Sequence, residues 1–288
     1  MTVSALPGGG YEFTGVKLEA VRIAILGDAE PKPEPVFTHT GSAVELINRL
    51  DAQAPIAFVA STGDLAHRGS LAQYEAISEH LDALRPPLRT IPGNEELVAE
   101  DGAERLLRYV ARWNAGGRDG ADGYELSHTR CVAGHLLVFA SALDGGKEFN
   151  DEEIDWIKTQ LTRHPDRPAI LFVHNAPMGI FDPKAAMQRP AFNERILTQP
   201  NVVATFSGHL HMNLDEWPGH VRCDRGVHHV HVPGLERTKR GSRHVPRMRL
   251  LTIEPHRVSV QTYNLETHRF EPEHEVSFVS RGRPAGGQ

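Results

Sequence analysis

Five short apolar runs, each stopping at an Asp, an Asn or a His, constrain this chain more than any other feature. VRIAIL (21–26) stops at Gly27-Asp28, IAFVAST (56–62) at Gly63-Asp64 and PPLRTIP (86–92) at Gly93-Asn94. AILFVH (169–174) ends on His174, and NVVATFSGHLH (201–211) carries Gly208, His209 and His211 at its end. Predominantly apolar runs of this length read as strands buried on both faces. Between the first three lie helical spacings: Val44, Ile47 and Leu50 in 41–52, then Leu71, Tyr74, Ile77, Leu81 and Leu84 in 70–84, which opens on Ser70 as an N-cap. This order predicts a βαβαβ unit with right-handed crossovers and a largely parallel sheet.

Further along, 101–117 reads as a helix and 124–144 as two strands around a turn near Ala133-Gly134. Asn150 with Glu153 three residues on forms a capping-box pattern ahead of Ile154, Ile157 and Leu161. VHHVHVPG (227–234) and MRLLTIEPHRVSVQTYN (248–264) read as strands of a second sheet. With 288 residues the chain is near the upper limit for one hydrophobic core. The expected organisation is a lead-in over 1–20, a single domain over 21–280 and a disordered tail over 281–288.

In open α/β sheets the loops at the carboxyl ends of the strands form the ligand crevice. The polar residues that end these runs would converge there while staying scattered in sequence. Carboxylates, an amide oxygen and imidazoles are ligands for Mn, Fe, Zn or Mg. The count of 17 His makes metal chemistry worth testing. Each of these residues has a plainer reading as well: Asp and Asn often terminate strands in turns, and a lone His174 could be a hydrogen-bonded core residue.

Composition narrows the classes. The formal net charge is −6, so there is no global attraction for nucleic acid or an anionic membrane surface, and a nucleic-acid partner is not expected. Cys131 and Cys223 are far apart and form neither a disulfide framework nor a CxxC pair. The first residues lack a signal-peptide pattern and no run reaches the roughly 18 apolar residues of a membrane span. A cytoplasmic protein without a membrane partner is the expectation, with homo-oligomerisation left open.

The motifs G-D-x-E, G-D-L-A-H-R-G, G-N-E-E, V-H-N-A-P and G-H-L-H, in this order and spacing, resemble the calcineurin-like metallophosphoesterase superfamily over roughly residues 20–235. The resemblance implies an α/β sandwich of four layers, two mixed β-sheets flanked by helices, with a dinuclear metal site. It implies that Asp28, Glu30, Asp64 and His211 hold one divalent ion, and that Asn94, His174 and His209 hold the second. The resemblance also implies that Asp64 would bridge the two ions and that a bridging hydroxide would be the nucleophile. The two ions are expected to be Mn or Fe ahead of Mg or Zn. The His-x-His pair suits one imidazole per metal in an extended or turned stretch; a helix would not present both together.

Two positions depart from that pattern. Glu30 stands where the first motif usually has His, which favours harder ions such as Mn or Mg over Zn at that site. Glu95 stands where the third motif usually has His, a residue that in the family contacts the phosphate or protonates the leaving oxygen. Glu95 is therefore a candidate catalytic group with Asp64 and Asn94, or a cap for a helix beginning near residue 96. Four ionised carboxylates would leave the pocket two charges less positive than usual, favouring a singly charged diester. The expected function is a phosphoesterase, specifically a phosphodiesterase acting on a small phosphorylated molecule. The rivals are a degenerate, non-hydrolytic metal- or ligand-binding protein and a biosynthetic enzyme with Glu95 as acid or base.

Four further features stay open. The basic stretch 237–249 is a solvated loop or a phosphate-gripping lid acting through Arg240 and Arg243. His67 and Arg68 either face the phosphate or sit in a surface loop. His228, His229 and His231 form a cluster in which His229 and His231 share a strand face, with a structural role favoured. Trp156 is expected in the core, and His39 to Gly41 as a plain helix entry.

Overall fold

A computed structural model describes residues 20–114, 125–181 and 189–280, together with the backbone of 2–6 and 10–14. The chain folds into four layers: helices, sheet, sheet, helices. In the first sheet β3 (Val21–Leu26), β4 (Ile56–Ser61) and β5 (Leu88–Thr90) run parallel. They are joined by α1 (Thr40–Gln53) and α2 (Leu71–Leu81). Beyond β3 the sheet continues antiparallel through β12 (Arg247–Glu254), β13 (Arg257–Asn264) and β14 (Arg269–Phe270), with β15 (Val276–Val279) also on β13.

The second sheet has β7 (His135–Phe139), β8 (Ala169–Val173), β9 (Val202–Ser207) and β11 (Val227–His231) parallel at its centre. Antiparallel β6 (His128–Val132) and β10 (Val221–Asp224) close its edges. Outside it lie α4 (Asp151–Arg163) and α5 (Pro190–Arg195), while α3 (Gly102–Trp113) packs on the first sheet.

The two-residue period of a strand explains why the runs are apolar on both faces. In β3, Ile23 and Ile25 face the second sheet, whereas Ala24 and Leu26 face the helices. In β8, Ile170 and Phe172 join the inter-sheet core and Leu171 and Val173 meet α4. Phe139, Phe172 and Phe206 are in register on neighbouring strands, their rings stacked at 4.6 and 5.3 Å. Such contacts add to burial along the second sheet, and Phe58 of β4 meets Phe139 edge-on at 6.1 Å across the two sheets.

Several expectations are corrected. VHHVHVPG and the 248–264 stretch do not share a sheet: β11 pairs with β9, and β12 pairs with β3. Strand periodicity reports burial and says nothing of the partner. The third strand shrinks to Leu88–Thr90, because Pro86, Pro87 and Pro92 lack the N–H a ladder needs. The backbone of Thr2–Leu6 and Gly10–Thr14 forms an antiparallel pair, β1 and β2, inside the stretch read as a plain lead-in. The helix read over 101–117 ends at Trp113, and the tail expected over 281–288 lies outside the described residues. The capping box at Asn150 and Glu153 is present, and Trp156 packs, partly buried, against the core beneath α4. Among the described residues no helix is long and apolar enough to cross a membrane.

Candidate metal centre

Asp28 follows β3, Asp64 follows β4, Asn94 follows β5, His174 follows β8, and His209 and His211 follow β9. The two sheets bring these ends together. One ligand atom each from Asp28, Asp64 and His211 lie within 4.8 Å of one another, and so do one each from Asp64, His174 and His209. Asp64 is common to both groups. His211 Nε2 is 3.3 Å from Asp28 Oδ1 and 3.6 Å from Glu30 Oε1. His174 Nε2 is 3.3 Å from Asp64 Oδ2 and 3.2 Å from Asn94 Oδ1, and His209 Nδ1 is 3.2 Å from the same His174 nitrogen.

The surrounding backbone aims these groups. His174 Nδ1 donates to the Thr62 carbonyl at 2.8 Å and His211 Nδ1 to the Arg237 carbonyl at 3.2 Å, so each ring turns its Nε2 toward the centre. Asp28 accepts the His209 N–H at 2.9 Å. Asp64 Oδ1 accepts the Glu95 N–H at 2.8 Å. Asp64, His209 and His211 hold left-handed backbones, at φ 53°, 65° and 45°. Such conformations cost on the order of 1–3 kcal/mol each and persist where the surroundings enforce them. Gly93 and Gly208 are required by close approach: a Cβ on Gly93 would meet Asp64 Oδ1 at 2.2 Å, and one on Gly208 would meet Asp28 Oδ2 at 2.5 Å.

Glu96, which the sequence did not single out, organises the same loops. Its buried carboxylate accepts the N–H groups of Asp64 at 2.9 Å, Gly93 at 2.8 Å and Ala66 at 2.8 Å. The fourth letter of G-N-E-E was the available signal. The N–H groups of Ala29 and Glu30 donate to the Asp64 carbonyl at 2.9 and 3.0 Å, so Glu30 stays in the site despite the prolines that follow it.

Burial and crowding set the charges. Burial and the neighbouring Asp64 and Asp28 push Glu30 up to about 7, against His211 and Arg237. Burial and Asp64 push Glu96 up to about 8. Burial disfavours a charged Asp28, yet His211 and His174 hold its carboxyl well below the usual range. Burial would neutralise His174, but Asp64 and Asp28 outweigh it and raise the ring to about 10. The carboxylates thus favour a proton on His174, and a bound cation would compete with that proton.

The residues fit a pair of divalent ions. Asp64 Oδ2, Glu30 Oε2 and His211 Nε2 are buried and have no hydrogen-bond partner among the described residues. Orphaned polar atoms cost about 1–3 kcal/mol each, and here they are a carboxylate oxygen of the shared Asp64, a second carboxylate oxygen and an imidazole nitrogen. Oxygen and imidazole donors without thiolate suit Mn, Fe, Mg or Zn.

Glu95 does not cap the short helical turn that follows it; no side-chain cap bond is made there. One of its oxygens comes within 4.8 Å of ligand atoms of Asp64 and Glu30. Burial would raise its pKa, but hydrogen bonds from Lys32, the Arg68 N–H and His67 bring it down to about 2. The charge deficit expected from the two extra glutamates is offset within the chain. Arg237 pairs with Glu30, Lys239 Nζ is 4.0 Å from the same oxygen, and Lys32 Nζ is 2.7 Å from Glu95. Glu236 anchors this arrangement: its carboxylate accepts the N–H groups of Thr38, His39 and Thr40 at the start of α1.

The two arginines of the lid reading have partners of their own: Arg243 pairs with Glu266, and Arg240 lies over Trp217, 5.9 Å from its ring centroid. Arg247 and Arg249 are buried in β12, where Arg247 binds Asp215 and Glu271. His229 and His231 are buried structural residues, bonded to Thr205 at 2.8 Å and to the Met212 N–H at 3.1 Å.

A two-sheet sandwich with such a ligand set at the strand ends defines the class of metallophosphoesterases. The chain belongs to the calcineurin-like phosphoesterase family, whose model matches residues 21–213. Over 185 residues it is 28% identical to glycerophosphodiester phosphodiesterase GpdQ of Enterobacter lignolyticus, covering 61% of this chain and 63% of that protein. A probable GpdQ of Arcobacter nitrofigilis is 27% identical over 162 residues, 52% of this chain and 55% of the relative. The chain thus spans less than two thirds of these two relatives. A 3',5'-cyclic-nucleotide phosphodiesterase of Nostoc is 23% identical, covering 69% of each chain. Among solved structures, GAP50, the anchor in the inner membrane complex of Plasmodium, superposes with a TM-score of 0.63 at 12% identity, covering 92% of this chain and 90% of that one. PhoD does so with 0.56 at 10% identity, covering 95% and 73%. These two likenesses are of fold.

Proposed function

We propose that this protein is a phosphodiesterase of small molecules that works with two divalent metal ions centred on Asp64. The observation that carries the reading is Asp64, common to both ligand groups, whose buried Oδ2 has no hydrogen-bond partner among the described residues. Asp28, Glu30, Asp64 and His211 would hold one ion; Asp64, Asn94, His174 and His209 would hold the other. Two such ions supply a nucleophile at neutral pH and neutralise charge on the phosphoryl oxygens.

The chain's own groups bind and orient the ester. Arg237, Lys239 and Lys32 keep 22%, 31% and 32% side-chain exposure beside the buried carboxylates, where they can meet phosphate oxygens. Because they already pair with Glu30 and Glu95, charge alone does not select diester over monoester. The diester preference rests on the similarity to glycerophosphodiester and cyclic-nucleotide phosphodiesterases.

Paired assays of the Mn-loaded protein on bis(4-nitrophenyl) phosphate and 4-nitrophenyl phosphate test it. Faster turnover of the diester is expected. A clear monoester preference contradicts the diesterase reading, and no turnover of either with any divalent ion contradicts hydrolysis altogether.

A further inference from the structure

His67 and Glu95 form a pair at the open side of the carboxylate cluster. His67 Nδ1 lies 2.7 Å from Glu95 Oε2, which also accepts the Arg68 N–H at 3.1 Å, while Glu95 Oε1 accepts Lys32 Nζ at 2.7 Å. A carboxylate ringed by three donors acts as acceptor, so the Nδ1 proton of His67 points at Glu95. The ring's other nitrogen, Nε2, makes no hydrogen bond among the described residues and is the position free to exchange a proton. The His67 side chain is 21% exposed against 10% for Glu95, so the imidazole lies on the accessible side of the pair.

The turn that carries His67 is held in place. Arg68 and Gly69 have φ of 52° and 54°, and a Cβ on Gly69 would meet the Glu96 carbonyl at 2.6 Å. Since Glu95 offers an oxygen within 4.8 Å of ligand atoms of Asp64 and Glu30, His67 stands one hydrogen-bonded group out from the metal-binding carboxylates. A phosphate held by cations at those carboxylates would bring an ester oxygen toward that ring.

We propose that His67, oriented by Glu95, is the general acid that protonates the leaving oxygen of the ester; this rests on the hydrolase reading above. In the step, a hydroxide oxygen bonds to phosphorus. The bond from phosphorus to the leaving oxygen breaks, its electron pair stays on that oxygen, and His67, entering the step protonated at both nitrogens, gives up its Nε2 proton to neutralise it. The imidazole regains a proton from solvent, replacing the one lost when water gave the hydroxide, so one water is consumed per ester. Glu95 is a positioning residue that fixes the tautomer, the role an orienting carboxylate plays behind other catalytic histidines.

A general acid matters most when the leaving group is basic. The test is a series of methyl aryl phosphodiesters from 4-nitrophenyl to 4-methoxyphenyl, alike in charge and close in size, with the wild-type chain, His67→Ala, His67→Gln and Glu95→Gln. The His67 variants should lose less than about 10-fold on the nitrophenyl ester and about 10²-fold or more on the methoxyphenyl ester. Glu95→Gln should shift the series in the same direction by less. Metal content and melting midpoint should match the wild type in His67→Gln, which keeps a donor for Glu95 if His67→Ala folds poorly. Nitrogen NMR should show His67 protonated at Nδ1 in the wild type and released from that state in Glu95→Gln. A uniform loss across the series, or none, overturns this inference while leaving hydrolysis intact. A wild-type chain that cleaves no member of the series overturns the hydrolase reading itself.

Discussion

Asp64 Oδ2 sits 3.3 Å from His174 Nε2 and accepts no hydrogen bond from any described residue, while its sister Oδ1 is anchored by the Glu95 N–H at 2.8 Å. One oxygen is fixed by backbone and the other is presented to the centre. Replacing Asp64 removes the group common to both ligand sets. Asp64→Ala should fold, bind fewer than two Mn ions per chain by elemental analysis, and lose at least about 10²-fold in diester turnover. Full metal content in this variant would contradict a bridging role.

Gly93 is tied to the same geometry. A Cβ there would stand 2.2 Å from Asp64 Oδ1 and 2.7 Å from His174 Cε1. Gly93→Ala must therefore displace two ligands. An affinity loss for Mn of about 10–100-fold, the range seen when the supports of metal ligands are disturbed, is expected by calorimetric titration.

Glu96 stabilises the fold through the loops it gathers. Glu96→Gln replaces either Oε2, which accepts from Asp64 and Gly93, or Oε1, which accepts from Ala66, with an NH2 that faces those backbone donors. Urea unfolding of the metal-free protein should show a loss of about 2–3 kcal/mol.

His229 makes stability fall on acidification. It is fully buried and burial lowers its pKa from 6.5 to about 4. Between those values the unfolded chain binds a proton that the folded chain does not, so stability drops as pH falls below 6.5 and is unaffected by this group above it. At pH 5.5 the contribution is on the order of 1 kcal/mol. His229→Gln should therefore lose about that much less stability than the wild type between pH 7.5 and pH 5.5 in paired urea titrations.

The sequence displayed the strand ends because burial on both faces writes a predominantly apolar run, and the polar residue that stops it is conspicuous. Asp28, Asp64, Asn94, His174, His209 and His211 were legible for that reason. Sheet partnership was not: β11 and β12 look alike as runs yet join different sheets, since pairing depends on crossovers that periodicity does not encode. The cations that balance Glu30 and Glu95 were also hidden. Arg237 and Lys32 lie 207 and 63 residues from their partners, and side-chain spacing within a loop gives no hint of such contacts. Within the basic stretch 237–249, position alone could not separate Arg237, which reaches the centre, from Arg243, which turns to Glu266.

The central claim is that two divalent ions share Asp64. Crystals of the Mn-loaded protein, measured at the manganese absorption edge, test it most directly. The account predicts two anomalous peaks on either side of the Asp64 carboxylate, one against Asp28 and His211 and the other against His174 and His209. A single peak remote from Asp64, or none with His174 Nε2 still 3.3 Å from Asp64 Oδ2, would contradict it.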